Sequence, residues 1–426
     1  MPHPAAHFHH VFMDAVREHI APAQIVATVL LVKLRERGID AADHVEYLKS
    51  LASKVLAAPL SSGDAAFELQ IDGSIVGGAD LSIEVDAADV EAAISKVSEA
   101  VEAASDDFLK SLSAGALRGV LEKPAVRLLH LANERDAFLR RLEHTWSTAF
   151  QLLDIHVALC AELGEDRNEW LRSRRRRSKD IVVVDVVTRL HGRAVQVARE
   201  VQALLRNGFA DGALSRWRTM HELTVVTMFI LDRGVAVAER YLAHVDADSI
   251  KAARQYEMFA SALNHRPISA RDKRRLERLE SELESKYGKP FLSEYGWAAE
   301  SLKVKKPTFT DIEAAVNLDH LRPYSRLASG AVHAGSKSMF FRLGTLGEQD
   351  LILTGASNAG LDEGGRLAAL SLAQITSALL MLHANTDSAV WSRVLMSLSS
   401  KVEQQFVKIQ RRIKREEQRT RAGDKG

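Results

Sequence analysis

The chain of 426 residues is 46% apolar and 27% charged, with 57 basic side chains against 56 acidic ones. That length corresponds to about two or three domains, and the composition excludes a disordered or collagen-like chain. A net charge of +1 excludes a wholesale nucleic-acid coat protein, and the lone Cys160 excludes a disulfide framework or a Cys-rich zinc module and suits a reducing cytosol.

The N-terminal His3, His7, His9 and His10 fit either a flexible tail or a catch for a divalent metal. They stand where an export signal would place lysines ahead of an apolar segment, so no export signal is expected. No stretch approaches the ~18 apolar residues of a membrane span. The longest clean run, Leu223 to Leu231, stops at Asp232. A cytoplasmic protein without a membrane partner is the expectation.

Glycine and proline are scarce, 24 and 9, and fall between long amphipathic stretches, which predicts a mainly α-helical protein. Helices are expected over Pro22 to Arg37, Ala41 to Ala57 and Ala87 to Leu112. Between the last two, Phe67, Leu69 and Ile71 alternate with polar residues, Gly73-Ser74 interrupts, and Leu81, Ile83 and Val85 alternate again. Period-two alternation around a glycine turn predicts a β-hairpin. Residues 1 to 115 are therefore expected to form a small α/β unit.

Pro124 opens a helical pattern with no breaker until Gly164, a run of about 60 Å at ~1.5 Å per residue. A bent helix or two helices, lying along a bundle or a dimer seam, would accommodate it. Arg172 to Lys179 holds six basic residues in eight, and a helix should follow from Ile181 to Asn207-Gly208. Asp211 is expected to cap a strongly apolar helix, Gly212 to Asp232, closed by Gly234. Further helices run to about Leu302, with Arg271 to Lys286 a solvated face. Thr310 and Glu313 suggest a capping box, and Pro323 the start of a helix to about Ala334. A second hairpin is expected at Met339 to Leu343 and Asp350 to Leu353. Gly355, Gly360, Gly364 and Gly365 fall in a loop too irregular for a phosphate cradle. Helices over Leu361 to Ala384 and Ala389 to Arg421 complete the chain.

Two segments carry chemistry. The helix that becomes apolar all round at Leu223 bears Arg218, His221 and Glu222 in its first turns, at three- and four-residue spacing that places all three on one face. Charged groups entering a core need partners, so they form either an internal Arg218–Glu222 pair with His221 beside it or the lining of a polar cavity. The second segment is Tyr324-Ser-Arg-Leu-Ala-Ser-Gly-Ala-Val-His333. Arg326 and His333, seven apart, would face nearly the same way about two turns apart. The small residues between them, Ser329 included, leave room for a substrate or for a neighbouring helix. An imidazole titrating near pH ~6.5 moves protons at neutral pH, and an arginine holds a phosphate and offsets the charge gathered in phosphoryl transfer. The pair would suit metal-free RNA cleavage, with His333 as general base or acid and Arg326 stabilising the transition state.

This Arg-x6-His on a late helix of an α-bundle is similar to the Arg-x4–6-His signature of the HEPN superfamily. Active members of that superfamily are dimeric, metal-independent endoribonucleases of toxin–antitoxin, abortive-infection and CRISPR systems. Arg218-x-x-x-Glu222 with Tyr324-x4-Ser329-x3-His333 also resembles a family of uncharacterised bacterial helical proteins. The likeness covers roughly residues 180 to 385. It implies that Arg326 and His333 match the signature pair, with Arg218, His221, Glu222, Tyr324 and Ser329 supporting them.

Other motifs are incomplete. His221-Glu222 begins like a zincin helix, but Val225 stands where the second histidine belongs. No phosphate-binding glycine motif occurs, so neither nucleotide hydrolysis nor a dinucleotide cofactor is expected; Glu222, His221 and His333 could share a metal but lack a recognisable ligand spacing, so none is expected. Two basic clusters, Arg174, Arg175, Arg176 and Arg177, and Arg411, Arg412 and Arg415, would follow a phosphate backbone or form solvated faces. The expectation is a mainly α helical bundle with a small α/β N-terminal unit and two short β-hairpins: 1–115 the small unit, 116–386 the bundle core, 387–426 a basic C-terminal helix. A homodimer is expected, because the long helices have more apolar face than one slim bundle covers. The functional expectation is a HEPN-like protein acting on RNA in phage defence or stress response. Its competitor is a non-catalytic scaffold or sensor whose polar node fixes packing.

Overall fold

In the computed structural model, which describes residues 21–56, 66–122, 124–174, 180–333, 335–336, 340–346 and 351–423, the alternation around Gly73 becomes an antiparallel pair, β1 (Ala66–Ile71) and β2 (Leu81–Asp86). Leu69 pairs with Ile83 and Ile71 with Leu81. Leu69, Ile71, Ile83 and Val85 turn to one face and are buried there, as a period of two requires. The helix Pro22–Glu36 (α1) lays Val26, Leu30 and Leu34 into the same core, joined by Leu48 and Ala52 of Val45–Leu56 (α2) and Ala93 of Ala87–Leu121 (α3). Asp86 and Asp89 form a reciprocal capping box at the start of α3. These elements lie in the first of two compact units, Met1–Ala132; the second is Asn133–Gly426. Residue 115 falls inside α3.

The helix Pro124–Arg174 (α4) belongs to the second unit from Asn133 onward. That unit also contains Ile181–Arg206 (α5), Ala210–Arg233 (α6), Val235–Phe259 (α7), Ala270–Tyr287 (α8), Phe309–Ala315 (α9), Arg322–Val332 (α10), Asp362–Met381 (α11) and Thr386–Gly423 (α12). The helix α11, apolar after its charged first turn, is central and packs on α5, α6 and α12. The C-terminal helix α12 is thus part of this unit. Trp146 of α4 packs against Phe406 of α12 with the rings tilted, at 5.6 Å between centroids. Trp217 of α6 donates its indole N–H to Ser371 Oγ of α11 at 3.0 Å. Among the described residues no helix is long and apolar enough to cross a membrane.

Four expectations need correction. Gly164 does not break α4, because it is a point of close approach. A Cβ there would stand 2.1 Å from Cε1 of His191, so the glycine lets α5 press its imidazole against α4. Gly364 and Gly365 lie inside α11 and not in a loop; a Cβ on Gly365 would stand 2.4 Å from the Phe406 ring. Asp211 is the second residue of α6 and does not cap it; its carboxylate accepts the Leu343 N–H at 3.2 Å. The second hairpin has no strand among the described residues, where Leu343–Thr345 forms a 3-10 turn. Met339 and Asp350 lie outside those residues.

Two histidines are sealed in the core between α4, α5 and α11. His156 donates from Nε2 to the Ala369 carbonyl at 2.9 Å, and His191 Nε2 lies 3.1 Å from Thr376 Oγ1. Burial lowers both, each to about 4 from the ordinary 6.5. The unfolded chain therefore binds protons that the folded chain refuses between pH 6.5 and about 4. Their contribution to stability is full above pH 6.5 and falls as the pH drops through that window, by roughly 3 kcal/mol per histidine. Urea unfolding at a series of pH values should show this loss, and His156→Gln should flatten the slope.

Candidate functional site

The site is built where α6, α9 and α10 meet. Thr308 caps α9, its hydroxyl accepting the Asp311 N–H while Asp311 reaches back to the Thr308 N–H. The capping box is thus Thr308/Asp311 and not Thr310/Glu313. Glu313 is released by this arrangement and points inward, 1% exposed. Its Oε1 accepts from His221 Nε2 at 2.7 Å, and its Oε2 accepts from Arg322 Nε at 2.9 Å. A desolvated carboxylate is tolerable only with such partners on both oxygens.

His221 is wholly buried. It stacks on Trp217 at 5.4 Å and meets the edge of Phe309 at 5.9 Å. Burial pulls the imidazole below its ordinary value, against the opposing pull of Glu313. The ring is therefore neutral near pH 7, donating to the carboxylate through Nε2. Its Nδ1 is buried without a hydrogen-bond partner, as is Arg218 Nε.

Arg218 and Glu222 do pair, at 2.9 Å, but half-buried at the edge of the bundle. Burial raises Glu222. Tyr295 beside it is pushed up to about 12 by burial and by the charges of Glu222 and Glu294. The three residues expected on one face therefore divide: Arg218 and Glu222 satisfy each other, while His221 turns inward to Glu313. Sequence reasoning missed Glu313 and Arg322. Two overlapping Thr-x-x-acid patterns hid the first; the buried Ile312 beside Glu313 was the available hint.

Arg322 opens α10 and is held at the wall of a cavity of about 840 Å³. Asp211, Asp319, Tyr324 and Arg326 supply its polar lining, with Pro323, Leu327, Gly330, Ala331 and Phe341 as the apolar part. Burial raises Asp211. Arg326 is exposed and, among the described residues, has no ion-pair partner. Tyr324 packs edge-on to Trp217 and lies beneath Arg366, whose guanidinium carbon is 4.8 Å from its ring. The Ser329 hydroxyl is engaged with the Ser325 carbonyl one turn back, at 3.0 Å.

His333 departs from its expected place. The helix ends at Val332, and His333 is the exposed residue after it, in extended conformation at φ −100° and ψ 145°. The two-turn helical phase with Arg326 therefore does not apply; His333 follows α10, near the end carrying Gly330 and Ala331 of the cavity. Its N–H bonds the Ser329 carbonyl at 3.0 Å. Arg411, Arg412 and Arg415 line a second groove, of about 1100 Å³. Arg175, Arg176, Arg177, the Arg174 side chain and the N-terminal histidines lie outside the described residues. Among the described residues no three His, Cys, Asp or Glu side chains are grouped to hold a metal ion.

Residues 184–350 match a family of unknown function, DUF5677. The matched segment contains His221, Glu313, Arg322 and every residue of the cavity. No curated protein and no solved structure matches the chain.

The buried carboxylate Glu313 should matter far more than the half-buried Glu222. Glu313→Gln, which leaves Arg322 without its charge partner and takes away one of the two oxygens that accept from Arg322 and His221, should cost about 3 kcal/mol or more in urea unfolding. Glu222→Gln should stay within about 1 kcal/mol, because water screens that pair.

Proposed function

We propose that the α10 cavity acts on RNA, as a metal-independent endoribonuclease of the kind the Arg326-x6-His333 resemblance implies. The observation that carries this reading is Arg326: an exposed guanidinium on a cavity wall, without an ion-pair partner among the described residues. It lies one helical turn from Arg322, whose charge Glu313 already balances and whose position Glu313 fixes. A phosphodiester entering the cavity meets Arg326 as its counter-charge and Arg322 as a second donor, while the apolar wall has room for a base or sugar.

The reaction is an internal transfer. The ribose 2′-oxygen attacks its own phosphorus, the bond to the 5′-oxygen of the next nucleotide breaks, and a 2′,3′-cyclic phosphate results. His333, at the end of the same helix, takes the 2′-hydroxyl proton or supplies one to the departing 5′-oxygen. Arg326 offsets the charge that gathers on the phosphorane oxygens. No redox step and no further reactant is required.

A second reading, a non-catalytic scaffold or sensor, draws on the buried His221–Glu313 pair behind Arg322, which has the burial of a packing device. The two separate on one measurement. With chelator present, the parent protein should cleave single-stranded RNA to cyclic-phosphate ends. Arg326→Ala and His333→Ala should each lower the rate about a hundredfold with unchanged melting. Cleavage undiminished in His333→Ala removes that residue from the mechanism, and a parent that never cleaves favours the scaffold.

A further inference from the structure

The groove between α4 and α12 is distinct from the cavity and has its own chemistry. On α12, Lys408, Arg411, Arg412, Arg415 and Arg419 line it, all exposed. Lys408, Arg411, Arg415 and Arg419 recur at intervals of three or four residues, about 5.4 Å along the axis, and with Arg412 beside them form one stripe about 16 Å long. The opposite face of the same helix buries Val402, Phe406 and Ile409. Across the groove, α4 presents His144, Ser147 and Thr148. Two carboxylates, Glu403 and Glu416, answer five cations. Arg412 is spoken for, by the Thr145 carbonyl at 3.3 Å and Glu416 at 3.9 Å. Lys408, Arg411, Arg415 and Arg419 have no ion-pair partner among the described residues.

The charged helix α8, by contrast, interleaves its cations with carboxylates. On α8, Lys273 pairs with Glu257 and Glu280 with Arg254, and Arg274 and Arg278 share a shallow depression with Glu277 and Glu282. The α12 stripe is unbalanced, and its frame is stiff: Phe406 is held against Trp146 and Phe150 beneath the groove floor.

We infer that the α4–α12 groove binds the sugar–phosphate backbone of RNA. A cation once per turn follows a chain of phosphates by displacing its counterions. The hydroxyls of Ser147 and Thr148 are suited to the ribose 2′-hydroxyl. No Phe, Tyr or Trp side chain lines the groove, which favours a grip on backbone over bases. The choice of RNA among polyanions rests on the function proposed for the cavity. One contact chain supports the connection: Arg366, above Tyr324 of the cavity, also reaches Glu403 of the groove at 3.6 Å. A strand lying along α12 would thus have its Glu403 end directed toward the cavity.

The test is fluorescence anisotropy of the full-length protein with a short labelled oligouridylate across a salt series. Arg411→Gln combined with Arg415→Gln should weaken binding about tenfold or more and reduce the slope of log affinity against log salt by about 1.4, for two phosphate contacts. Arg274→Gln with Arg278→Gln should bind as the parent does, and all variants should melt alike. Poly-glutamate should compete poorly. Parent-like binding by the Arg411/Arg415 variant overturns the inference, as does a parent that does not bind. Poly-glutamate displacing the oligonucleotide as readily as unlabelled oligouridylate overturns the assignment to RNA. The two proposals fail separately: a parent that binds through Arg411 and Arg415 without cleaving sinks the nuclease alone, and one that cleaves with those arginines irrelevant sinks the groove alone.

Discussion

A carboxylate taken out of water must find its hydrogen bonds inside the protein, and Glu313 finds them on two different helices. His221 of α6 and Arg322 of α10 each claim one of its oxygens, so α6, α9 and α10 are bound together by one desolvated group. The orientation of α10 follows from this, and with it the placing of Arg322 and its one-turn neighbour Arg326. Trp217 fixes the other side of His221, and its own N–H is tied to Ser371 in the central α11. The cavity wall is thereby anchored to the middle of the bundle.

The cavity and the groove answer to the same element from opposite sides. The first turns of α11 carry Arg366, which also pairs with Glu363. Its guanidinium contacts Tyr324 on one flank and Glu403 on the other. Burial raises Asp362 and Glu363 at this helix start, so the region concentrates charge where the surrounding core is otherwise apolar. The cavity and the groove each expose cations that no carboxylate pairs among the described residues, Arg326 on α10 and Lys408, Arg411, Arg415 and Arg419 on α12.

Much of the helical framework was legible in the chain. Alternation around Gly73 located the hairpin, and apolar periodicity located α1, α5, α6 and α11 within a few residues. What escaped depended on distance. Thr308-x-x-Asp311 and Thr310-x-x-Glu313 are equally good capping patterns on paper. The partner that decides between them, His221, lies 92 residues away from Glu313. Gly164 has the same character, since its neighbour in space, His191, comes from the next helix. The ending of α10 at Val332 was obscured by a run of small residues, Ala328 to Ala331, which continues the helical pattern without adding side-chain packing to sustain it. Arg218 and Glu222, four apart, were paired from sequence because that contact is local.

The contact of Gly365 with Phe406 has a consequence for how this protein tolerates change. The aromatic ring occupies the volume that any side chain on residue 365 would need, so the two positions share a fixed allotment of space. A bulkier residue at 365 would be accommodated only by a smaller one at 406, and that trade would also strip Trp146 and Phe150 of an aromatic neighbour. Among divergent copies of this sequence, the pair should drift together or not at all.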